Sequence, residues 1–411
     1  MVNPGSNQGE GAIHKRFQRL EPLLDRALEL DGEQRQRFLA ILAEVHPDLI
    51  QDLRRALNPD ANLPALGGLA QDLSRHHTTD RTGLRIGAWR LVEKIGHGGM
   101  GSVYRAKRAD GAFDKEVAIK LLRGEDARFG QHLERERQLL ARLDHPGIAR
   151  LIDGGMLPDG KPWLAMELAA GEDLAAWLQR TQPPLERRLT VFLAICDAVC
   201  HAHREHLVHR DLKPGNIRID HDDSIKLLDF GIAKLVSPEL PDGSTRQIAI
   251  TPEYAAPEQF GSGRISTRTD VYALGALLHM LLAGRSPHPR FDGNWAAYIE
   301  QLRAHELAPV SQVVSHAGNL ALSATELRGD LDAIVAKALA RDPRQRYASV
   351  ADMAIDIRHY LQDVPVGARV NTWRYRLGKW LRRNRGLLKV LLVFVLILVG
   401  IGLGLIRMFS G

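Results

Sequence analysis

The sequence predicts an α+β chain, in which a small antiparallel sheet precedes a larger, mainly helical part. Trp89 to Ile95 and Ser102 to Lys107 have the composition of short strands, and Val117 to Lys120 follows as a third. Leu189 to His206 and Asp270 to Ala283 are apolar runs with the length of buried helices. With 411 residues, 45% of them hydrophobic, the chain is long enough for a two-lobed domain and appendages.

A glycine-rich stretch lies between the first two strands and forms the tip of the predicted hairpin. It reads Gly96-His97-Gly98-Gly99-Met100-Gly101-Ser102-Val103. Glycine at such a tip lets the backbone approach phosphates without a Cβ in the way. A dinucleotide-binding turn would lead from a strand into a helix, and a Walker loop would continue with Gly-Lys-Ser/Thr. Neither pattern is present, and a simple turn is the alternative interpretation.

The third strand ends on a charged residue, Lys120, which is an unusual place for a free cation. A solvated lysine at a sheet edge and a phosphate-binding lysine explain the strand equally well. The next predicted helix, from about Gly130 to Leu143, carries Glu134 and Glu136. Either glutamate is placed to be a partner for the lysine.

The most informative segment is His209-Arg210-Asp211-Leu212-Lys213-Pro214-Gly215-Asn216, followed by Asp229-Phe230-Gly231. It supplies a proton acceptor, a cation and two metal-ligand side chains within a short distance along the chain. Transfer of a phosphoryl group needs these parts, because its transition state is stabilised by positioning and countercharge. Alone, the first tripeptide is usually surface charge and the second is usually a turn. Together, in this order and spacing, they indicate phosphoryl transfer.

With these motifs the chain resembles the bacterial eukaryotic-like (Hanks-type) serine/threonine protein kinases, over about two thirds of its length. The resemblance implies a bilobal fold with the kinase domain at 86–363. The small lobe, 86–169, would be an antiparallel sheet with one helix, and the large lobe, 170–363, would be mainly helical. It also implies ATP and Mg²⁺ as cofactors and protein serine or threonine as acceptor.

The resemblance assigns a role to each catalytic residue. Asp211 would accept the hydroxyl proton, and Lys213 would face the transferred phosphate. Asn216 and Asp229 would hold Mg²⁺. Lys120 would bind the α- and β-phosphates and pair with Glu136, with Glu134 as the second choice.

The nucleotide-binding residues follow from the same resemblance. Met166 would be the gatekeeper beside the adenine, and the main chain of Glu167 and Ala169 would bond to the base. The full predicted set is Ile95, Gly96, His97, Gly98, Gly99, Met100, Gly101, Ser102, Val103, Ala118, Lys120, Met166, Glu167 and Ala169.

An activation segment is expected between Asp229 and Ala256-Pro257-Glu258. We expect Ser244 or Thr245 to be autophosphorylated, since a phosphate there could pair with Arg210 and order the loop. Thr251 is expected to have a structural role first. Lys213, in Asp-Leu-Lys-Pro-Gly-Asn, resembles the serine/threonine kinases rather than the tyrosine kinases.

Four further expectations concern the large lobe. Asp270 would cap the backbone of the catalytic loop, since a buried aspartate needs such partners. Glu258 would pair with Arg346. The cysteines, Cys196 and Cys200, lie on an apolar helical run and are expected to be core residues in a reducing compartment rather than zinc ligands. His209 is expected to support the loop rather than do chemistry.

The positive charge of the chain is concentrated at its end. The net charge is +6, yet eight basic residues and no acidic ones occur from Arg374 onward, so the remainder is slightly acidic. This excludes a generally basic, nucleic-acid-binding body. The uncharged apolar run from Val390 to Ile406 has about the length needed to cross a ~30 Å hydrocarbon core.

We therefore predict a basic juxtamembrane segment at 364–386, a transmembrane helix at 387–406 and a short tail at 407–411, too short for an extracellular sensor. Trp373, Tyr375 and Trp380 suit a headgroup region, and the basic excess places the kinase domain in the cytoplasm, on a single-pass inner-membrane anchor. Gly400 and Gly404 have GxxxG spacing, which favours a homodimer.

The N-terminal part is predicted to be a helical extension at 1–58 and a flexible linker at 59–85, without a signal peptide. The predicted function is a membrane-anchored, Mg²⁺- and ATP-dependent serine/threonine protein kinase. Two alternatives stay open: a pseudokinase scaffold that binds partners without catalysis, and a small-molecule kinase of related fold. The Ala256-Pro257-Glu258 motif favours a protein substrate over the second.

Overall fold

The structure is a computed structural model of the 411-residue chain. It describes residues 23, 27, 32–45, 49–57, 80–98, 101–122, 138, 140–230, 251–260, 263–291, 295–304, 307–317 and 322–386.

A six-stranded antiparallel sheet forms the small lobe, with the strand order β1-β2-β3-β4-β6-β5. The strands are β1 Arg85–Ile86, β2 Trp89–Gly98, β3 Gly101–Arg108, β4 Glu116–Leu122, β5 Leu151–Met156 and β6 Pro162–Glu167. The predicted hairpin is confirmed, and β2 extends through Gly98 rather than ending at Ile95. Residues 138, 140 and 141 are helical, in the segment predicted to hold the main helix of this lobe.

The interior of the sheet is filled by large side chains from β2, β3 and β4, including Trp89, Leu91, Tyr104 and Ile119, each 2% exposed or less. β4 is buried along almost its whole length, from Val117 to Leu122. A central strand with both faces covered needs such a continuous apolar run. Lys120 is the one charged residue within that run, so its ammonium group must find a partner inside the protein.

The large lobe is mainly helical. A small second sheet contains β7 Glu172–Asp173, β8 Ile217–Ile219 and β9 Ile225–Leu227. The helices are α3 Leu174–Thr181, α4 Leu185–Arg204, α5 Thr267–Ala283, α6 Trp295–Ala304, α7 Val310–Ala317, α8 Ala324–Leu327, α9 Asp330–Ala338, α10 Val350–Leu361 and α11 Trp373–Arg383.

Helix α5 is the centre of the large lobe, since every residue from Thr269 to Ala283 is buried. Ser266 caps its first turn through its side chain, and Gly284 ends it in the left-handed conformation at φ 72°. A helix apolar on all sides is expected only in the interior of a large domain. It fixes Asp270, on its first turn, directly beneath the catalytic loop.

The cores of the two lobes are continuous. Leu122 and Leu164 from the sheet and Leu140 from the small-lobe helix belong to the same buried cluster as Phe192 and Leu274 of the large lobe. This contact holds the end of β4 close to the segment around Asp229.

Two helices form a separate cluster near the N-terminus. They are α1 Gly32–Val45 and α2 Ile50–Ala56, and Phe38, Leu42, Leu49 and Leu53 pack between them. Both lie within the helical extension predicted at 1–58. Residues 1–22 of that extension lie outside the described residues.

Helix α11 packs against the large lobe, which the sequence did not indicate. Lys379 is 4% exposed and pairs with Asp330 on α9. Among the described residues no helix is both long enough and apolar enough to cross a bilayer. The predicted transmembrane segment, 387–406, lies outside those residues, as do Gly400 and Gly404.

Candidate active site

Asp270 holds the catalytic loop in place. Its carboxylate accepts hydrogen bonds from the backbone N–H groups of His209, at 2.8 Å, and Arg210, at 2.9 Å. His203 Nε2 lies 2.8 Å from the same carboxylate. Burial alone would raise the pKa of Asp270, but the His203 hydrogen bond and the backbone donors hold that pKa below its ordinary value. The predicted capping role is confirmed, and His203 is a partner that the sequence did not reveal.

His209 supports the loop from inside. Its Nε2 donates to the Leu228 carbonyl at 3.0 Å, while Nδ1 accepts from the Asp211 N–H at 3.3 Å. The ring packs on Phe230, with centroids 4.6 Å apart. Burial lowers the pKa of His209, so the neutral ring is favoured. A neutral side chain with both nitrogens engaged orients Asp211 and is not available for proton transfer.

Asp211, the predicted proton acceptor, lies in a connected polar cluster. Asn216 Nδ2 donates to its Oδ2 at 3.0 Å and to its carbonyl oxygen at 2.8 Å. Lys213 Nζ lies 3.1 Å from the same Oδ2 and donates to Thr251 Oγ1 at 3.0 Å. The structure thus brings the three predicted catalytic-loop residues together, and Thr251 joins them to the segment that precedes Ala256-Pro257-Glu258.

The two lobes meet at an ion pair between Lys120 and Asp229, with Nζ 2.8 Å from Oδ2. The side chains are 9% and 24% exposed. Asp229 has φ 50°, a left-handed conformation that turns the chain sharply before Phe230. The sequence left open whether Lys120 is a solvated lysine at a sheet edge. It is not, because its side chain is largely buried and paired with Asp229 between the lobes.

The strands that flank the glycine-rich stretch pack so closely against β4 that one position admits only glycine. Gly101 has φ +136°, and a Cβ there would lie 1.9 Å from the Leu121 carbonyl oxygen, so only glycine fits. The register places Gly96 opposite Val103 and His97 opposite Ser102. The His97 ring bonds to the Ser102 hydroxyl at 3.0 Å. Gly99 and Met100 lie outside the described residues.

The predicted adenine-binding strand lies beside Lys120. Ala118 pairs with Met166 across β4 and β6. Met166 lines a narrow pocket together with Leu140, Asp229 and Phe230. This is a position from which a side chain can limit access behind the nucleotide.

Glu167 has two contacts that restrict its use. Its N–H donates to the Arg150 carbonyl at 2.9 Å, and its carboxylate pairs with Lys226 Nζ at 2.8 Å. Any contact of Glu167 with a base must therefore use its carbonyl oxygen. Ala169 is half-buried just beyond it.

A buried ion pair fixes the end of the activation segment. Both guanidinium nitrogens of Arg346 bond to Glu258, at 2.7 and 2.9 Å, and the two side chains are 0% and 7% exposed. The predicted pair is confirmed. The sequence missed Gln259, which donates to the Arg210 carbonyl at 2.9 Å and accepts from the Ala256 N–H at 3.0 Å. It ties the segment to the catalytic loop.

Some predicted residues lie outside the described part of the chain. These are Glu134 and Glu136, and Ser244 and Thr245 within 231–250.

The side chains present fit magnesium with phosphate oxygens as further ligands. Asn216 uses its amide nitrogen on Asp211, which leaves its Oδ1 for a cation. Asp229 offers a carboxylate directly after Leu228, whose N–H donates to the Asn216 carbonyl at 2.8 Å. Oxygen ligands of this kind suit Mg²⁺, which usually keeps water and substrate phosphate as additional ligands. In the described part of the chain no group of three or more His, Cys, Asp or Glu side chains could hold a metal without such help.

A two-lobed domain with a lysine from the sheet meeting an aspartate from the helical lobe, beside a capped catalytic loop, defines a protein kinase. Residues 89–359 match the model of the family "Protein kinase domain". The chain therefore belongs to the protein kinase family, and specifically to the bacterial Hanks-type serine/threonine kinases.

The similar curated proteins are bacterial serine/threonine kinases. Pkn1 of Myxococcus xanthus is 36% identical over 276 residues, which are 66% of this chain and 38% of that protein. PrkC of Bacillus subtilis is 36% identical over 282 residues, 67% of this chain and 41% of that protein. PknB of Mycobacterium tuberculosis is 33% identical, over 68% of this chain and 43% of that protein. The match thus spans about two fifths of the length of these relatives.

Among solved structures, the fold is similar to the kinase domain of PknI from Mycobacterium tuberculosis. The TM-score is 0.52 at 26% sequence identity, and the match covers 68% of this chain and 98% of the other.

Proposed function

We propose that the chain transfers the γ-phosphoryl group of ATP to serine or threonine hydroxyls of proteins. The observation that carries the proposal is that two close pairs, Lys120–Asp229 and Asn216–Asp211, lie on segments joined by the hydrogen bond from the Leu228 N–H to the Asn216 carbonyl at 2.8 Å. Together these residues offer three parts of the catalytic requirement: countercharge from Lys120, metal binding by Asn216 and Asp229, and proton acceptance by Asp211.

Asp211 accepts the proton of the attacking hydroxyl. Its Oδ2 is already held by Asn216 and Lys213, so the carboxylate is oriented before a substrate arrives. Lys213 then faces the transferred phosphoryl group and neutralises developing charge. Bound Mg²⁺ would be held by Asn216 and Asp229 and would neutralise charge on the β- and γ-phosphates.

Lys120 would bind the α- and β-phosphates of a bound nucleotide, leaving Asp229 to the metal. The turn between β2 and β3 would cover the phosphates, and Ala118, Met166 and the main chain of Glu167 and Ala169 would contact the adenine. Of the other predicted contacts, Ile95 to Gly98 lie in β2 and Gly101 to Val103 lie in β3.

Glu136 is the proposed helix partner of Lys120. It precedes Leu140 by four residues, one helical turn. Leu140 is helical, buried, and lines the pocket that contains Asp229 and Phe230. The four-residue spacing would place a helical residue on the face of Leu140, and on that ground we favour Glu136 over Glu134.

Thr251 supports a protein hydroxyl as the acceptor. Its side chain contacts Lys213 and so joins the catalytic loop to the segment against which a peptide would lie. We further propose autophosphorylation at Ser244 or Thr245, with Arg210 as the partner of the phosphate.

The membrane anchor remains part of the proposal. The uncharged run at 387–406 would cross the inner membrane once, with the basic residues before it holding the kinase domain on the cytoplasmic side. The match covers only about two fifths of PrkC and PknB, so the anchor is proposed from the sequence of this chain alone. A homodimer through Gly400 and Gly404 belongs to the same proposal.

The test is phosphate transfer from radiolabelled ATP to the chain itself and to a generic basic protein, followed by phosphoamino-acid analysis. Mg²⁺-dependent phosphoserine or phosphothreonine is expected, with none when EDTA removes the metal. A chain that binds ATP but transfers no phosphate would instead be a pseudokinase scaffold.

A further inference from the structure

Helix α11 has its amphipathic faces reversed for a helix packed on a globular domain. The residues directed at the large lobe are Tyr375 and Lys379, four positions apart on one face. The opposite face carries Trp373, Leu377, Trp380 and Leu381, which are 68%, 46%, 44% and 40% exposed. A helix that serves only to cover a protein core turns its apolar residues inward.

The inward face is fixed by a specific set of contacts. Lys379 Nζ pairs with Asp330 at 2.7 Å and also lies 3.8 Å from Asp363. Arg369, in the preceding loop, pairs with Asp330 at 2.9 Å. The Val366 N–H donates to the Tyr375 hydroxyl at 3.0 Å. These bonds set the rotation of the helix about its axis and so present the tryptophan face outward.

The exposed large hydrophobic side chains of the described residues are concentrated on and just before α11. Of the eleven large hydrophobic side chains exposed in the described part of the chain, five lie between Val370 and Leu381. Positions 373, 377, 380 and 381 follow the spacing that places residues on one side of a helix. A contiguous apolar surface of this kind marks an interaction site rather than random exposure.

The charges beside this face identify the partner. Arg374, Arg376 and Arg383 lie on the flanks of the stripe, and the sequence has no acidic residue after Asp363. Tryptophan and leucine between arginines is the composition of a helix that lies in the headgroup region of an anionic bilayer. The uncharged run beginning at Val390 follows a few residues later, which would bring α11 to the membrane surface.

We propose that Trp373, Leu377, Trp380 and Leu381 of α11 insert into the surface of an anionic bilayer and that the Lys379–Asp330 pair holds the large lobe against it. The proposal rests on the membrane anchor at 387–406 proposed above. The apolar side chains enter the acyl boundary, and the arginines bind lipid phosphates. The domain is thus held in one orientation rather than swinging on a linker.

The experiment uses the full chain in nanodiscs that contain one copy or, in a second set, two copies, made of phosphatidylcholine with or without phosphatidylglycerol. Cys196 and Cys200 are replaced by alanine, and a polarity-sensitive fluorophore is placed through Leu377→Cys. The matched control carries Arg344→Cys, at a site where the native side chain is 90% exposed on the large lobe. Autophosphorylation of each labelled protein reports that its kinase domain is folded.

The expected result is several-fold lower quenching by acrylamide at position 377 than at 344, together with strong quenching by brominated lipid at 377 alone. The protection should be greater with phosphatidylglycerol and should be lost when Trp373→Ser and Trp380→Ser are added. Equal acrylamide quenching at both positions, in chains that remain in the discs, would overturn the inference. Protection only in discs with two copies would also overturn it and would assign the face to a second chain. A chain absent from the discs would contradict the anchor itself.

Discussion

The ammonium group of Lys120 and the carboxylate of Asp229 lie 2.8 Å apart, joining the sheet of the small lobe to the segment that follows the catalytic loop. The ammonium and the carboxylate are therefore each other's countercharge. On the proposed function we expect nucleotide with Mg²⁺ to replace this pair by two others, since phosphate would take the lysine and the metal would take the aspartate.

The first prediction follows from that exchange. Mg-ATP should raise the Tm of the wild-type chain, because a ligand that binds only the folded state stabilises it, by about 2.7 kcal/mol at 100 times Kd. Asp229→Asn should lose most of this shift. Asp222→Asn, in the exposed β8–β9 turn, should keep it. Differential scanning fluorimetry measures both, and an undiminished shift in Asp229→Asn would remove Asp229 from the metal site.

The second prediction concerns Thr251, whose hydroxyl accepts from Lys213 at 3.0 Å. Thr251→Val should lower kcat by roughly tenfold or more, because a hydrogen bond to a charged group contributes about 1.5–3 kcal/mol. Thr251→Ser should retain most of the activity. Steady-state kinetics with a peptide substrate separates the two variants. Equal activity of the valine and serine variants would show that the hydroxyl has no catalytic importance.

The third prediction concerns the Glu258–Arg346 pair. Arg346→Ala should lower the free energy of unfolding by about 3–5 kcal/mol, because it leaves a buried carboxylate without its partner. Arg344→Ala is the control, since its side chain is 90% exposed and an exposed substitution usually changes stability by less than about 0.5 kcal/mol. Urea denaturation gives both values. Similar stabilities for the two variants would mean that the pair is not needed.

The fourth prediction is a pH dependence due to His209, which is buried and whose pKa is lowered from 6.5. The unfolded chain binds a proton there more readily than the folded one, so the contribution is present above pH 6.5 and lost as pH falls toward the folded pKa. Unfolding free energy should therefore decline below that pH in the wild type. In His209→Gln the decline should be smaller, whereas His221→Gln, at a 96% exposed side chain, should keep the wild-type slope. Parallel slopes in all three proteins would contradict it.

Local patterns were enough to predict the elements and residues whose environment is fixed by short-range sequence. The glycine turn was predictable because position 101 admits only glycine. Its φ is +136°, and a side chain there would collide with the Leu121 carbonyl. Asp270 and Arg346 were predictable because each belongs to a motif that the resemblance already located. The ion pair of Lys120 with Asp229 requires two such motifs to meet, and the sequence indicated Glu136 rather than Asp229 as the partner of Lys120.

Residues whose partners come from distant elements were not predictable. His203 lies near the end of the helix predicted from Leu189 to His206, yet it contacts Asp270, 67 positions later. Gln259 reaches Arg210 across 49 positions. Lys379 was assigned to a basic juxtamembrane segment by composition alone, because nothing local indicates that it is buried against Asp330. Such contacts depend on the packing of helices, and neither periodicity nor motif spacing encodes that packing directly.

The central claim is that Asp211 takes the proton from a protein hydroxyl within this cleft. The most direct measurement is the single-turnover rate of phosphate transfer by Asp211→Asn at saturating Mg-ATP, with nucleotide affinity measured in parallel. We expect a rate lower by roughly 10²–10⁴-fold, as for loss of a general base, with ATP affinity nearly unchanged. A wild-type rate in Asp211→Asn would contradict the account.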